Sequence, residues 1–287
     1  MLKQAAQGEL FHSDDTTGKV LSLMKEGETE NGRKGIFTTG ILSKMEDRMA
    51  VLYFTGRNHA GENIDDLLQK RLQGLGPPQL MCDALSRNIP KVLEVILSNC
   101  LTHGRRNFVD IIDAFPDECR HVIKVLADVY HNDEMAKDKN MSPQERLTFH
   151  QVESKPLMDG LYTWFKQQLD EKRVEPNSGL GKAIAYMMKH WAPLTRFLEI
   201  PGAPLDNNIC ERALKKSIIH RKNSLFYKTQ NGADVGDMFM SLIQTCNMAH
   251  ENPFDYLVAL QKNASVVAGN PEKWLPWNFR QSTPAPN

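Results

Sequence analysis

A change in residue pattern near position 115 limits the fold to one that joins a sheet to a block of helices. Before this position, short runs rich in β-branched and aromatic residues alternate with polar turns, which is typical of strands. We predict strands over five runs, at residues 9–13, 20–24, 35–42, 48–54 and 79–82. A charged turn after the third run predicts a hairpin with the fourth, and residues 26–35 form a polar turn before it.

Two acidic residues follow directly after predicted strands. Asp14 comes after the first strand and Asp83 after the strand at residues 79–82. Between them, residues 62–72 have helical spacing, and Pro77-Pro78 ends that predicted helix. Residues 91–97 are a further strand candidate, with a helix as the alternative.

The pattern from residue 116 onward indicates helices and no strand. We predict an all-helical block at residues 116–201, with helices over residues 119–130, after a capping box at Ser142 and Glu145, along residues 157–169 and over residues 183–191. Residues 235–249 form an amphipathic helix, and Asn252-Pro253 begins a shorter one. We expect residues 263–287, which contain several prolines, to be loosely held.

Residues 204–226 carry the most unusual surface of the sequence. Asn208 is suited to cap a helix, with Glu211 closing a capping box, and the predicted apolar stripe is Ala213, Leu214, Ile218 and Ile219. The other face has one acid, Glu211, among many bases: Arg212, Lys215, Lys216, His220, Arg221 and Lys222. Bases of this kind hold a polyanion, and an acid among them can hold a metal ion against it. The alternative for Glu211 is helix capping alone.

Composition excludes several classes of protein. The 287 residues are 41% hydrophobic and 24% charged with a formal net charge of zero, which is ordinary for a globular protein. No apolar run is long enough for a membrane helix, and the first residues do not resemble a signal segment. Five cysteines without a C-x-x-C pair argue against a zinc ribbon or a disulfide framework and favour a cytoplasmic protein. Cys100-x-x-His103 has ligand-like spacing but lacks a second pair.

Several blocks of the sequence resemble the IS66-type insertion-sequence transposases of the DDE group. They are L-D-N-N-I-C-E-R-A-L-K followed by H-R-K-N-S-L-F, then H-S-D-D-T-T-G-K-V-L, L-M-C-D-A-L, N-C-L-T-H-G-R-R-N-F and P-E-K-W-L-P-W-N-F, and they extend over nearly the whole chain. The chain departs from the family pattern at Asp15 (usually glutamate), at residues 84–86 (usually small and aromatic), at Leu101 (usually tryptophan) and at Asn107 (usually lysine).

The resemblance implies a metal-dependent enzyme that cleaves DNA strands and transfers them during transposition. Asp14, Asp83 and Glu211 match the three catalytic carboxylates, with Asp15 as second choice for the first ligand. These acids would hold two Mg²⁺ or Mn²⁺ ions about 4 Å apart, since hard divalent cations prefer oxygen ligands. Asp206, Asn207 and Asn208 would shape the start of the last helix.

The implied partner is DNA, as element ends and as target. The residues expected to contact it are His103, Arg105, Arg106, Arg212, Lys215, Lys216, Arg221 and Lys222. For the block around His103 the alternative is a helix whose arginines are simply solvated. We further expect a cytoplasmic, nucleoid-associated protein that is able to form a homo-oligomer.

Together, the segment order and the resemblance predict an α/β fold: a ribonuclease-H-like mixed sheet with an all-helical insertion before the last catalytic helix. The predicted divisions are 1–115 for the first part of the core, 116–201 for the insertion, 202–262 for the last catalytic helix and C-terminal helices, and 263–287 for the tail.

Full-length relatives of this type carry an N-terminal coiled-coil-like helix and a zinc-binding DNA module, which do not precede Asp14 here. We therefore expect a truncated remnant or a late start, with poor recognition of terminal repeats. The alternatives to a transposase are a catalytically idle DNA-binding remnant and a hydrolytic nuclease that does not join strands.

Overall fold

The computed structural model describes residues 1–26 and 32–283 of the chain, which has a mixed α/β fold. Residues 27–31, half of the predicted turn at residues 26–35, and the last four residues of the predicted tail lie outside these ranges. The strands are β1 (Leu10–Thr17), β2 (Phe37–Met45), β3 (Arg48–Gly56), β4 (Gln79–Cys82) and β5 (Ile96–Asn99). They form one sheet in the order β3-β2-β1-β4-β5.

The first three helices lie before or between the strands along the chain, and from the fourth onward the described elements are all helical. They are α1 (Leu2–Ala5), α2 (Leu21–Glu26), α3 (Ala60–Leu68), α4 (Leu101–Val109), α5 (Pro116–Asp138), α6 (Pro143–Glu153), α7 (Lys155–Asp170), α8 (Gly179–Lys189), α9 (Trp191–Leu194), α10 (Asn208–Ser224), α11 (Gln230–Met248), α12 (Pro253–Lys262), α13 (Ala264–Gly269) and α14 (Phe279–Ser282). No helix among the described residues is both long and apolar enough to cross a bilayer.

The chain divides into two compact units. The sheet unit contains residues 1–80, 85–96 and 208–287, and the helical unit contains residues 81–84 and 97–207. The first unit includes the predicted hairpin, which is confirmed: β2 and β3 pair antiparallel from Phe37↔Gly56 to Met45↔Arg48. The four-part division expected from the sequence stays a prediction.

Helix α11 covers the edge of the sheet formed by β3. An edge strand presents unpaired backbone N–H groups, and here side chains four residues apart on one helical stripe accept from alternate residues of the strand. Four helical residues advance about 6 Å, close to the advance of two strand residues, so the two rows stay in step. The accepting pairs are Asp237 with Thr55 N–H, Ser241 with Tyr53 N–H (2.9 Å) and Thr245 with Val51 N–H (3.0 Å).

The helical unit has its own apolar core, built mainly from α4, α5 and α7 to α9. Phe108 and Phe165 stack in it with ring centroids 5.9 Å apart. A buried polar cluster lies within the same unit: Asp133 of α5 accepts from Arg146 and His150 of α6, and also pairs with Lys137. The other ring nitrogen of His150 lies 2.9 Å from Ser154 Oγ. These contacts connect α5 to α6.

The prediction that residues 116–201 are helical and add no strand to the sheet is confirmed.

Several predicted boundaries are wrong, for physical reasons. Residues 21–26 form helix α2 instead of the strand predicted at residues 20–24. Val20 and Leu23 pack in the same apolar cluster, and residues three positions apart share a face in a helix but not in a strand. Strand β1 continues through Thr17, since each residue to that point pairs with β2. Helix α3 ends at Leu68, well before Pro77, and the strand predicted at residues 91–97 is instead β5, at Ile96–Asn99.

The C-terminal residues up to Thr283 are also more ordered than predicted. Trp274 and Phe279 are buried in a cluster with Cys246 and Tyr256. Tyr256 also donates its hydroxyl hydrogen to the carbonyl of Trp274 at 2.8 Å. Buried aromatic side chains and this hydrogen bond therefore hold the described part of the predicted loose tail against α11 and α12.

Candidate active site

Adjacent aspartates on β1 project from opposite faces of the sheet, because side chains alternate along a strand. The Asp15 carboxylate is only 2% exposed. One of its oxygens accepts from Thr39 Oγ1 at 2.6 Å, and the other accepts from the backbone N–H of Ala60 at 3.1 Å and lies 3.0 Å from His59 Nδ1. Asp15 therefore fixes the start of α3 against β1, and both of its oxygens are occupied in doing so.

Asp14 lies on the face of the sheet that α10 covers. It is paired across the strands with Gly40, and paired residues point to the same face. A Cβ atom at Gly40 would lie 3.0 Å from the Leu214 side chain and 3.7 Å from Cys210 Sγ, both on α10. One Asp14 oxygen accepts the N–H of Asp15 at 2.8 Å. The sheet unit thus directs Asp14, and not Asp15, toward the helix that carries Glu211.

Gly40 is a residue that the sequence analysis passed over. With no side chain at this position, α10 packs directly on β2, and Cys210 donates its thiol hydrogen to the Gly40 carbonyl at 3.4 Å. A glycine inside a predicted strand is a known sign of close backbone approach, so the signal was present in the run at residues 35–42. This approach brings the residue after Cys210, which is Glu211, to the Asp14 side of the sheet.

Helix α10 begins at Asn208, so Glu211 is its fourth residue. The capping box between Asn208 and Glu211 stays a prediction, because a shift of one residue in the helix start would place Glu211 at the third position. Leu214 is buried as predicted, but Ile219 is exposed and does not belong to the apolar stripe. Glu211 lies in the first turn of the helix, where the helix dipole stabilises a negative charge.

Asp83 belongs to the helical unit and directly follows β4. Its backbone carbonyl accepts from Asn99 Nδ2 at 3.3 Å, which connects the ends of β4 and β5. Burial and, to a smaller degree, the nearby charges of Asp83 and Cys100 raise the pKa of Tyr186 to about 12. Because Asp14 and Glu211 belong to the other unit, the convergence of all three acids stays a prediction.

The block around His103 forms helix α4, which packs closely on α8. A Cβ atom at Gly104 would lie 2.5 Å from Met187 Sδ, so a side chain here would require Met187 to move. His103 and Arg105 are half-buried, and Arg106 is exposed. Burial raises the pKa of the Cys100 thiol just before the helix, although hydrogen bonds from backbone N–H groups oppose the rise. The part that α4 plays toward DNA stays a prediction.

The basic side chains of α10 are mostly in solvent. Arg212, Lys215, Lys216 and Lys222 are exposed, and within the described residues no carboxylate forms an ion pair with them. Arg221 is half-buried and donates to Thr17 Oγ1 at 3.3 Å. These cations remain available to an external anion, which is what a phosphate-binding surface requires.

Comparison with known proteins shows related sequences. The profile of a family described as "Transposase IS66 family" matches residues 1–235. The chain is 31% identical over 189 residues to the uncharacterized protein y4jD of Sinorhizobium fredii, which covers 64% of this chain and 36% of that protein. It is 26% identical over 302 residues to the uncharacterized protein y4hP of the same organism, covering 96% of this chain and 52% of that protein.

The chain thus spans about a third to a half of the length of the curated relatives that it matches. The family profile covers most of the chain, including β1, β4 and α10 with their acids. This chain belongs to the IS66 transposase family.

Proposed function

We propose that this chain is the catalytic region of a DDE transposase, which cleaves DNA strands and transfers them with the help of divalent metal ions. The observation that carries the proposal is the different surroundings of the two adjacent aspartates on β1. The Asp15 carboxylate accepts hydrogen bonds from Thr39 and from the start of α3, while Asp14 faces the helix that carries Glu211. Family membership supports a DNA-processing function. The strand order, with β1 at the centre and the hairpin of β2 and β3 on one side of it, supports a ribonuclease-H-like sheet.

The metal ligands that we propose are Asp14, Asp83 and Glu211. The donor set fits Mg²⁺ or Mn²⁺, because these hard ions prefer carboxylate oxygens. Asp14 is half-buried on the α10 side and Glu211 is in the first turn of that helix, so the sheet unit supplies two of the three carboxylates. When bound, such ions supply an activated oxygen nucleophile and stabilise the leaving oxygen of a phosphodiester.

The protein's own residues bind and orient the DNA. The exposed cations of α10 hold phosphates, whose charge would otherwise be repelled by the three carboxylates. Asp15 keeps β1 and α3 in a fixed relation, so that Asp14 stays on the α10 face. We place this activity in the cytoplasm, where the DNA of the element lies.

The test compares two variants of the chain in cleavage and gel-shift assays with labelled DNA and manganese. Glu211→Gln should abolish cleavage and leave DNA binding intact, because it removes a ligand charge and keeps the basic face. Replacing Lys215 and Lys216 by alanine should weaken binding and lower the slope of log K against log salt by about 2. Glu134→Gln, at an exposed position of α5, is the control for the loss of a helical glutamate.

The products of the unaltered chain separate the candidate functions. Joined strands support a transposase, nicks without joining support a hydrolytic nuclease, and a shifted but intact band supports an idle DNA-binding remnant. Cleavage by Glu211→Gln at the rate of the unaltered chain would remove Glu211 from the catalytic set.

A further inference from the structure

Helix α10 ends in two apolar side chains that point into solvent. Leu225 is 61% exposed and Phe226 is 46% exposed, directly after the last helical residue, Ser224. We call this pair the apolar tip. Large apolar side chains placed side by side in water are unfavourable unless a partner covers them.

The backbone on both sides of the apolar tip is well anchored. Leu225 N–H donates to the Arg221 carbonyl at 2.8 Å, which continues the helical pattern. Tyr227 N–H then donates to the Lys19 carbonyl at 2.9 Å, and the Tyr227 carbonyl accepts from Leu21 N–H at the same distance. The tip therefore joins a helix to a short strand-like pairing and is held at both ends.

The conformation of the tip turns its side chains outward. Leu225 has a φ of +64°, a left-handed value that is costly for a residue with a branched side chain. The next ring, Tyr227, packs inward against Gly236, where a Cβ atom would lie 2.5 Å from the tyrosine hydroxyl. Phe226 is therefore left outside while its neighbour is half-buried.

The surroundings of the tip are strongly basic. Residues 212–233 contain no aspartate or glutamate, and their cations are Arg212, Lys215, Lys216, Arg221, Lys222 and Lys228. Lys222 and Lys228 are exposed on the two sides of the tip. Lys19 is also exposed, and its carbonyl accepts the N–H of Tyr227, the residue after the tip. A protein partner with an apolar surface would not need this charge, whereas DNA offers phosphates to the cations and base faces to the apolar side chains.

We propose that the apolar tip, Leu225 and Phe226, is a wedge that contacts the bases of the bound DNA duplex and partly unstacks them. The inference rests on the proposed function and deepens it by naming a contact to bases. Fourteen helical residues separate Leu225 from Glu211, or about 20 Å along the axis of α10. This distance corresponds to at most about six base pairs of a duplex, so the wedge and Glu211 contact different parts of the bound DNA.

The experiment uses the whole chain and a short fluorescein-labelled DNA duplex that contains 2-aminopurine, whose fluorescence rises when its base is unstacked. The unaltered chain should raise this fluorescence on binding. Phe226→Ala should remove the rise and weaken binding by about 5- to 150-fold, the range for loss of one base–aromatic contact. Leu225→Ala should reduce both signals less, and the salt dependence should not change in either variant, because no cation is lost.

The matched control is Phe254→Ala, since Phe254 is also exposed (74%) but lies between Pro253 and Asp255, away from basic neighbours in the sequence. It should bind and unstack DNA like the unaltered chain. If Phe226→Ala binds and unstacks DNA like the unaltered chain, the wedge is refuted. If the variant in addition changes the sedimentation of the protein, the tip is a protein contact. Cleavage by Glu211→Gln at the rate of the unaltered chain would contradict the catalytic assignment without changing these binding and fluorescence signals, so the two proposals fail separately.

Discussion

Two buried aspartates, one in each unit, show opposite responses to burial. Asp133 of the helical unit is held by His150, Arg146 and Lys137. Burial alone would raise its pKa, but these partners lower the pKa well below the usual range. Among the described residues, the carboxyl of Asp237 in the sheet unit accepts from the N–H and hydroxyl of Thr55, and burial raises its pKa to about 7.

The difference teaches that burial raises the pKa of both carboxyls, and that charged neighbours decide whether this rise is overcome. Asp133 is a buried anion whose charge is neutralised by partners inside the unit. Removing it would leave these partners unpaired. Asp237 meets neutral donors and keeps its proton to a higher pH. The cations of α10 are the third case, because their charge is not neutralised among the described residues and is left for a partner.

The largest effect on stability should come from breaking the cluster in the helical unit. Asp133→Ala leaves Arg146 and His150 with unpaired donors, so the free energy of unfolding should fall by about 3–5 kcal/mol. Urea unfolding measures the loss. The control is Asp159→Ala, which removes an exposed pair with Lys155 and should cost less than about 1 kcal/mol. Equal effects at the two positions would show that the buried cluster is not special.

A smaller and pH-dependent effect is expected at Asp237. Its unfolded carboxyl loses a proton near 3.8 and its folded carboxyl near 7, so the native state binds more protons between these values. Stability should therefore fall as pH rises through this window, by up to about 1.4 kcal/mol per pH unit. Asp237→Asn cannot ionise and should flatten this slope while keeping the acceptor for Thr55 N–H. Identical slopes in urea titrations of both proteins would contradict the raised pKa.

The smallest effect should come from the exposed capping box at the start of α6. Glu145 reaches back to the N–H of Ser142 at 2.8 Å, and Ser142 Oγ accepts from Glu145 N–H, which closes a capping box at the start of α6. Ser142→Ala removes the cap and should cost about 1 kcal/mol in thermal or urea unfolding. Ser142→Asp should recover most of it, because aspartate also caps; a variant without that recovery would point to a cause other than capping.

The sequence by itself determined the features that depend on neighbours along the chain. The hairpin of β2 and β3, the capping box at Ser142 and the start of α12 at Pro253 each rest on a few adjacent residues, and each is confirmed. The position of the acids after predicted strands was readable in the same way for Asp83, which follows β4. The family, too, was readable from ungapped motifs.

Only the tertiary structure decided what each surface meets. Alternation along β1 separates Asp14 from Asp15, but it does not say which face receives α3 and which receives α10; contacts with Thr39 and Gly40 settle that. Likewise, helical spacing put Ile219 in an apolar stripe, and the fold leaves it exposed. The physical reason is that burial and charge are properties of packed neighbours from distant parts of the chain, whereas caps and turns are closed within a few residues.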